Sequence, residues 1–368
     1  MNILIVIRLF CIEILIICFN SQGLDVNKVT DPEIKIKQVN IVDYLPRHYA
    51  KDGTVDYTTY IQEAIDKNDN LTFPEFPLLV NSRGLTIGSN KTIVFLKGSK
   101  LRMQSNSKTH YSVLNLNDVS NVKLHNPVIV GDRYEHLGSK GEWGMGISIK
   151  GCENIEIYGS KISNCWGDGI YLGQTNANRV NRNIVIKNAH LTKNRRDGIS
   201  IISVDGLVLE NVFSSFHDGT KPMCGINFEP NNPSCRIKNV KVVNPRTEHN
   251  KGSGIQIGLR TLLGRGLQKV DIKIINHIDI GSQSFAMKVA ANRKPGIVGG
   301  SIDGLVTIIK PSWYKTIGDR PLAFVTDQPN LKVIVVSPKV KNSNGMELGL
   351  SGIKAILNKH SNGDLRIL

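Results

Sequence analysis

The hexapeptide GDGIYL at residues 167–172 belongs to a series of similar segments that decides the fold. In each segment a glycine, here called the anchor, is followed by isoleucine, a polar residue and an apolar residue. The members are GMGISI (144–149), GDGIYL (167–172), RDGISI (196–201), MCGINF (223–228) and GSGIQI (252–257), and FAMKV (285–289) continues them with Ala286 as anchor. Successive anchors are 23, 29, 27, 29 and 32 residues apart. A repeat of this length, built from short strands, indicates a solenoid.

Between the anchors lie further short segments in which apolar and polar residues alternate, as they do in half-buried strands. These segments are ENIEIYGSKI (153–162), RNIVIKNAHL (182–191), DGLVLENVFS (205–214), RIKNVKVVN (236–244) and KVDIKIINH (269–277). None has the helical character of a leucine-rich or βαβ repeat. The sequence therefore predicts an all-β fold, a single-stranded right-handed parallel β-helix whose coils stack about 4.8 Å apart.

A capping helix is predicted at residues 55–67, with Asp56 as its N-cap. Its apolar side chains fall on one face: Tyr60, Ile61, Ala64 and Ile65. Such a helix covers the open edge of the first coil. We predict one β-helix domain over residues 24–368, with a cap region at 24–70, coils at 71–310, and last coils with a C-terminal cap at 311–368. The segments LKVIVVSPKV (331–340) and GMELGL (345–350) are expected to form short last strands.

Residues 1–23 have the composition of a signal peptide, although Arg8 and Glu13 interrupt the apolar run. An uncleaved anchor is the alternative. A lipoprotein is not expected, because Ile17 is too bulky for the position before Cys18. No later segment has the length and hydrophobicity of a membrane span. The sequence thus predicts a secreted or periplasmic protein.

The formal net charge of +15 favours anionic partners, and for an exported protein these are uronate or sulfated glycans rather than nucleic acid. A basic surface that only aids solubility is the alternative. Four cysteines follow the signal region: Cys152, Cys165, Cys224 and Cys235. The sequence does not decide whether these cysteines are buried free thiols or form a disulfide. The sequence contains no phosphate-binding loop or dinucleotide fingerprint, and it leaves monomer and homo-oligomer equally open.

Three features resemble the pectate-lyase-like right-handed parallel β-helix superfamily over roughly residues 43–300. They are DYTTYIQEAID (56–66), GLTIGSNKTIVFLKGSKL (84–101) and the glycine-isoleucine series. The superfamily includes polysaccharide lyases, glycoside hydrolases, uronate epimerases and phage tail-spike depolymerases. The resemblance implies a carbohydrate-active protein without fixing its reaction.

Stacked coils place residues at equal distance from the anchor in one column. Trp143, Trp166 and Arg195 share the position three before it, and Arg196 stands two before it. We expect the tryptophan faces to bind sugar rings and the arginines to hold a carboxylate or sulfate. Packing at a coil corner is the alternative for the tryptophans. Two positions after the anchor, a polar column predicts an exposed groove floor: Ser148, Tyr171, Ser200, Asn227 and Gln256.

Asp168 and Asp197 both directly precede an anchor, so their backbones are expected about 5 Å apart. Close carboxylates suit an acid and base pair, or a Ca²⁺ site. The alternative is that each only accepts hydrogen bonds from turn amides. Glu229 is expected roughly 16 Å from Asp197 along the strand, which makes it a poor direct partner. It lines the next part of the groove, or Glu-Pro-Asn (229–231) only forms a rigid corner; the sequence favours neither.

Two polar loops are expected beside these columns. Residues 131–143 carry Arg133, His136 and Glu142 as candidate substrate ligands, and residues 216–222 carry His217 and Lys221. Two loops along one face favour a cleft.

We favour β-elimination on an acidic polysaccharide, with Arg195, Arg196 and Lys221 neutralising the carboxylate and Tyr171 or His217 as base or acid. Pectate lyases of the superfamily commonly use Ca²⁺, which is a possible cofactor here. The first alternative is hydrolysis by Asp168 and Asp197, with Glu142 and Glu229 as outer carboxylates. Epimerisation is less favoured, because WGDGIY (166–171) lacks the Pro and His of mannuronan epimerases. A non-catalytic glycan-binding β-helix is the remaining alternative.

Overall fold

The coils of the chain contribute strands to three parallel sheets and stack into a solenoid. The computed structural model describes residues 38–314 and 318–368. The predicted signal peptide therefore lies outside the described residues. Residues 38–368 form one compact unit. The predicted parallel β-helix is confirmed.

Within the described residues the sheets have twelve, ten and nine strands. The twelve-stranded sheet contains Val39–Asn40, Asn70–Phe73, Thr92–Phe95, Ser120–His125, Glu153–Tyr158, Asn181–Lys187, Val204–Glu210, Ile237–Val243, Leu267–Ile275, Ser301–Ile309, Leu331–Val336 and Asp364–Ile367. The ten-stranded sheet contains Pro77–Val80, Lys100–Met103, Val128–Val130, Lys161–Ser163, His190–Thr192, Phe213–Ser215, Arg246–Glu248, Ile278–Ile280, Ser312–Tyr314 and Lys339–Val340. The nine-stranded sheet contains Leu85–Thr86, His110–Asn117, Trp143–Lys150, Ile170–Gly173, Ile199–Ile201, Ile226–Phe228, Ile255–Gly258, Met287–Ala291 and Leu322–Thr326.

The anchor series starts successive strands of the nine-stranded sheet in register. The apolar residue after each anchor pairs with its equivalent in the next coil, and all six are fully buried: Ile147, Ile170, Ile199, Ile226, Ile255 and Met287. Glycine recurs because the next coil passes close behind it. A Cβ atom on Gly198 would lie 2.4 Å from the Gly225 carbonyl oxygen, and one on Gly169 would lie 2.7 Å from the Gly198 carbonyl oxygen. The repeat is thus a packing requirement of the coil corner.

The N-terminal end of the solenoid is covered by an α-helix at Thr58–Lys67, as predicted. Ile61, Ala64 and Ile65 are buried, whereas Tyr60 is 40% exposed, so its predicted place on the buried face is wrong. The Gln62 side chain accepts a hydrogen bond from the Thr86 amide (2.8 Å) and donates one to the Thr86 carbonyl (2.9 Å). These bonds satisfy the backbone groups of the edge strand.

Asp56 does not occupy the N-cap position, which is Tyr57, but its carboxylate accepts a hydrogen bond from the Thr58 amide at 2.9 Å. Two short 3₁₀ helices lie at Ile41–Tyr44 and Arg260–Leu262.

The C-terminal region contains a helix that the sequence pattern did not indicate. It covers Leu350–Asn358 and buries Ile353 and Leu357. The segment 345–350, predicted as a strand, forms only an isolated bridge at Glu347 before this helix. In the described part of the chain, no helix combines the length and apolar character needed to cross a membrane.

Two of the three coil corners are lined by asparagine ladders. One ladder contains Asn90, Asn121, Asn154 and Asn183. The other contains Asn188, Asn211, Asn244 and Asn276. Within each ladder the side-chain amides bond at 2.9–3.1 Å, and all eight residues have positive φ. Asparagine tolerates this left-handed conformation better than most residues. The third corner joins the ten-stranded to the nine-stranded sheet and has no such ladder in the described residues.

Candidate functional site

The outer face of the nine-stranded sheet carries two clefts. The first has a volume of about 390 Å³ and is lined by residues that include His110, Trp143, Lys150 and Tyr171. The second has a volume of about 280 Å³ and is lined by residues that include Glu229, Gln256, Arg260 and Lys288. The strand Ile199–Ile201 lies between them in the sheet. We call the two clefts and the polar cluster between them the groove.

The polar cluster is built around the Arg196 guanidinium. Its Nη1 lies 3.1 Å from Asp168 Oδ2 and 3.6 Å from Asp197 Oδ2. Its Nη2 lies 2.7 Å from Glu229 Oε1, and its Nε lies 4.0 Å from Glu142 Oε2. One arginine therefore links acidic residues from four coils.

The two aspartates are held in place by the coil stacking itself. Asp168 Oδ1 accepts a hydrogen bond from the Asp197 amide at 3.0 Å, and Asp197 Oδ1 accepts one from the Cys224 amide at 2.6 Å. Asp197 Oδ2 also accepts bonds from Ser200 Oγ and Asn227 Nδ2, both at 3.0 Å. The turn-amide role is therefore real for both aspartates, in addition to their contact with Arg196.

Burial and mutual proximity raise the pKa values of three carboxyl groups in the cluster, those of Asp168, Asp197 and Glu229. Burial raises the pKa of Asp168 although Arg196 opposes the shift, and burial with the charge of Asp168 raises the pKa of Asp197 well above its usual value. Burial also raises the pKa of Glu229 against the effect of Arg196. For Arg196, burial is outweighed by the neighbouring carboxylates, which raise its pKa. The cluster thus pairs a permanent cation with carboxyl groups that hold protons more strongly than in water.

Only the outer carboxylates reach the groove surface. Asp168 and Asp197 are fully buried, whereas the side chains of Glu229 and Glu142 are 25% and 31% exposed. The predicted separation of Glu229 from the aspartates is wrong, because the Arg196 side chain connects them. The accessible pair is therefore Glu142 and Glu229, with the aspartates behind the guanidinium.

Trp143 forms the aromatic surface of the first cleft. It is 41% exposed, and its ring stacks on His110 of the preceding coil with centroids 4.3 Å apart. The sugar-binding role of this exposed ring stays a prediction, and its stacking partner is His110 rather than Trp166.

Trp166 cannot serve as a second sugar platform, because both its faces are covered and it is only 9% exposed. His136 stacks on one side at 4.0 Å, and the Arg195 guanidinium lies 3.8 Å from the ring centroid. Arg195 Nη1 also donates a hydrogen bond to the Gly141 carbonyl at 2.8 Å. The predicted substrate roles of Trp166 and Arg195 are thus replaced by packing roles, and the corner alternative holds for Trp166.

His136 is also unavailable to substrate, since its side chain is fully buried and its Nδ1 lies 2.8 Å from Asp132 Oδ2. The Arg133 side chain is only 10% exposed, and its contacts hold the loop at residues 131–143 against neighbouring coils. Its guanidinium donates to the Lys193 carbonyl at 2.7 Å and forms an ion pair with Asp218. These contacts replace the predicted ligand roles of both residues.

His217 lies inside the solenoid and is fully buried. Its Nδ1 accepts a hydrogen bond from the Asn194 amide at 3.2 Å, its Nε2 lies 2.9 Å from Ser214 Oγ, and burial lowers its pKa to about 3. The predicted catalytic role is therefore corrected. Asn227 is likewise buried and bonded to Asp197, so it is not part of an exposed groove floor. Lys221 is exposed on the neighbouring loop, where its predicted role stays a prediction.

Tyr171 is half-buried and lines the first cleft. Burial, together with the charge of Asp168, raises its pKa to about 12. This shift opposes a role as a base at neutral pH, because the phenolate is then scarce. Lys150 Nζ lies 5.8 Å from the centre of the Tyr171 ring.

The four basic side chains that line the clefts were missed by the sequence reasoning: His110, Lys150, Arg260 and Lys288. His110 pairs with Trp143 in the sheet register, and Lys288 continues the column of Tyr171 and Gln256. Extending the columns by one coil in each direction finds both.

A Ca²⁺ ion does not fit between Asp168 and Asp197, because the Arg196 guanidinium already lies against both carboxylates. Among the described residues there is no group of three or more His, Cys, Asp or Glu side chains placed to hold a metal ion. The cysteines at 152, 165, 224 and 235 are free and buried.

The family described as "Right handed beta helix region" matches residues 79–261. The chain has the right-handed parallel β-helix fold that this description names. Among curated proteins, it is 27% identical over 219 residues to the uncharacterized protein YclG of Bacillus subtilis. The match covers 52% of this chain and 38% of YclG, so the chain spans well under half the length of this relative.

Solved structures share the fold. The tailspike protein of E. coli bacteriophage HK620, solved with a pentasaccharide, has a TM-score of 0.64 at 13% identity, over 82% of this chain and 57% of the tailspike. The endo-xylogalacturonan hydrolase of Aspergillus tubingensis has a TM-score of 0.56 at 17% identity, over 78% of this chain and 82% of the hydrolase. The fold is shared by lyases, hydrolases, epimerases and binding proteins, so the activity must be argued from the site.

Proposed function

We propose that this protein is an exported enzyme that hydrolyses an acidic polysaccharide bound along the groove. The observation that carries the proposal is the pair of partly exposed carboxylates, Glu142 and Glu229, which both face the Arg196 guanidinium, at 4.0 Å from Nε and 2.7 Å from Nη2. Glycoside hydrolysis needs two carboxyl groups that flank the scissile bond. Export rests on the predicted signal peptide at residues 1–23.

Glu229 is the proposed general acid. Its raised pKa keeps a fraction of the side chain protonated closer to neutral pH than an ordinary glutamate. A protonated carboxyl group at the groove surface donates its proton to the leaving glycosidic oxygen. Glu142 is the proposed second carboxylate, which either takes a proton from the attacking water or attacks the sugar itself.

Arg196, Asp168 and Asp197 are proposed as positioning residues behind this pair. Arg196 fixes the Glu229 carboxylate at 2.7 Å, and Asp168 fixes Arg196 at 3.1 Å. Both aspartates are inaccessible to a polymer. The hydrolytic role predicted for the aspartates therefore passes to the outer glutamates.

The clefts on either side of the cluster suit an acidic polymer. Lys150 lies in the first cleft, and Lys288 and Arg260 lie in the second. The exposed Trp143 ring offers a flat surface to a sugar beside Lys150. The endo-xylogalacturonan hydrolase of the same fold, and the tailspike solved with a pentasaccharide, agree with a saccharide in such a groove.

β-Elimination is the second candidate, and it depends on Tyr171 and Lys150 in the first cleft. It is less favoured than the sequence alone suggested, for two reasons. Arg195 and Arg196, the cations expected to neutralise a uronate, already have protein partners. The raised pKa of Tyr171 also disfavours its use as a base.

The test is to incubate the purified protein with polygalacturonate, alginate and xylogalacturonan, and to follow both new reducing ends and absorbance near 235 nm. Hydrolysis gives reducing ends without absorbance. Glu229→Gln should then lower kcat at least about 100-fold, as expected for loss of a general acid. The matched control is Glu210→Gln, which removes a carboxylate ion-paired with Lys187 on the twelve-stranded sheet.

Rising absorbance that survives in Glu229→Gln but is lost in Tyr171→Phe would replace hydrolysis by elimination. Equal hydrolysis by Glu229→Gln and the intact protein would reject the assigned general acid. No product from any of these polymers would argue against the cleavage proposal and favour binding alone.

A further inference from the structure

The third coil corner has one equivalent backbone position in each of six coils. These positions are Gly131, Asn164, Lys193, Phe216, His249 and Gly281. At each one, the amide donates a hydrogen bond to a carbonyl of the next coil, at 2.8–3.3 Å. Five of the six have a positive φ, and Gly131 is the exception. From Asn164 to Gly281 the position therefore requires the left-handed conformation, while its side chains differ from coil to coil.

Phe216 is the least expected residue at this position. Its φ is 57°, a region that bulky residues rarely adopt, and its side chain is 46% exposed. Asn164 fills the equivalent place two coils away, and asparagine fills most of the left-handed positions at the other two corners. Strain of this kind persists where the side chain has a use. Core packing is not that use, because the ring lies at the surface.

Phe216 and His249 together form a small aromatic platform. Their ring centroids are 5.3 Å apart and their planes differ by 26°, so the rings stack along the solenoid axis. Both side chains are exposed. Gly281 follows His249 in the column and adds no side chain, so the outer face of the platform at that end is uncovered.

Two exposed lysines lie at the same corner as the platform. Lys193 precedes Phe216 in the column and is exposed. Lys251 follows His249 by two residues and is 52% exposed, with Nζ 3.5 Å from Asp218 Oδ2. A flat aromatic surface beside exposed ammonium groups suits a sugar ring that carries a negative charge.

We propose that Phe216 and His249, with Lys193 and Lys251, form a second saccharide-binding site for a carboxylated or sulfated sugar. The site shares no residue with the Arg196 cluster or the two clefts. It therefore does not depend on the proposed hydrolysis, and it would anchor a long polymer at the corner beside the groove.

The test exploits the column itself, because Asn164 shows that asparagine fits this position. The double variant Phe216→Asn/His249→Asn is compared with the intact protein by affinity electrophoresis in gels that contain polygalacturonate, dextran sulfate or neutral dextran. We expect about tenfold weaker binding to at least one acidic polymer, as for the loss of an aromatic contact. The polygalacturonate and dextran sulfate gels distinguish a carboxylate from a sulfate ligand.

The control variant is Leu267→Asn, which removes a 55% exposed apolar side chain from the twelve-stranded sheet and should bind normally. The melting temperature of the double variant should not fall, because asparagine relieves the backbone strain. Equal binding by the double variant and the intact protein would overturn the proposal. So would failure of the intact protein to bind either acidic polymer. If Glu229→Gln loses hydrolysis but binds the acidic polymers as the intact protein does, the second binding site is not contradicted.

Discussion

The asparagine corners and the third corner have the same backbone requirement and meet it in opposite ways. At the first two corners, left-handed positions repeat asparagine and bond to one another through uncharged amides. At the third corner the equivalent positions change from glycine to lysine, phenylalanine and histidine. The same corner also carries the buried charges of Asp168, Asp197 and Arg196.

This contrast separates residues that hold the solenoid together from residues that give it a specific surface. A ladder stabilises only if neighbouring coils carry matching side chains, so selection for stability favours repetition. A ligand site needs different groups at defined places and breaks the repetition. Variation within a column of a repeat protein is thus an indication of function.

The largest effect is expected from Arg196→Met, which leaves Asp168, Asp197 and Glu229 without their cation. The free energy of unfolding at pH 7 should fall by about 3–5 kcal/mol, as when one partner of a buried ion pair is removed. The loss should shrink toward pH 4, because protonated carboxyl groups need no cation. Urea unfolding at pH 7 and pH 4 measures the difference in unfolding free energy between the variant and the intact protein.

Arg182→Met, at an exposed pair with Asp205, is the control and should change stability by less than about 1 kcal/mol. Equal losses of unfolding free energy in both variants would contradict the role of Arg196 as the cation that compensates the buried carboxylates.

Asp279 gives the third corner a second pH-dependent contribution. It accepts hydrogen bonds from Thr247 Oγ1 and Ser282 Oγ, both at 2.6 Å, and burial raises its pKa to about 7. A raised carboxyl pKa means that the folded state binds its proton more tightly than the unfolded state. Stability from this group is therefore present at low pH and is lost as pH rises from about 4 to 7, by up to about 4 kcal/mol. Asp279→Asn should flatten this decline in a series of denaturant titrations, whereas an unchanged slope would contradict the shift.

Gly198→Ala tests the close approach at the anchor series. The added Cβ would lie 1.9 Å from Ser214 Oγ and 2.4 Å from the Gly225 carbonyl oxygen. We expect a loss of about 3 kcal/mol, the upper end for overpacking. The control Gly88→Ala places its Cβ 3.6 Å from Lys91 Cε, an ordinary contact, and should stay within about 0.5 kcal/mol of the intact protein. Thermal unfolding of both variants measures whether a Cβ atom at the anchor destabilises the protein more than a Cβ atom at Gly88.

The smallest effect is expected from Asn211→Ala in an asparagine corner. The substitution removes two ladder bonds of 3.0 Å, to Asn188 and from Asn244. Stability should fall by about 1 kcal/mol, and the removed bonds lie far from the groove chemistry, so saccharide binding should not change. Asn211→Gly keeps the left-handed conformation and isolates the hydrogen-bond contribution. Weaker saccharide binding by either variant would contradict the assignment of a purely structural role to the asparagine corners.

The sequence alone predicted the fold in detail, including the register of Ile147 with Ile170 and the capping helix at the N-terminal end. It missed the C-terminal helix at Leu350–Asn358, because the short apolar pattern there is compatible with a strand. For the candidate site, it placed Asp168, Asp197 and Arg196 at neighbouring positions of one coil corner, and in the structure these side chains are in contact. It did not separate exposed side chains from buried ones, as Trp166, His136 and His217 show.

What the sequence determined by itself is the periodicity, because a small anchor residue followed by a buried apolar residue recurs where each of six successive coils packs against the next. That requirement is local and repeats with each coil. What only the tertiary structure decided is which polar side chains meet. Arg196 reaches Glu229 across coils, and the loop at residues 131–142 buries His136 against Trp166. Such contacts depend on side-chain length and loop path, which leave no periodic trace in the sequence.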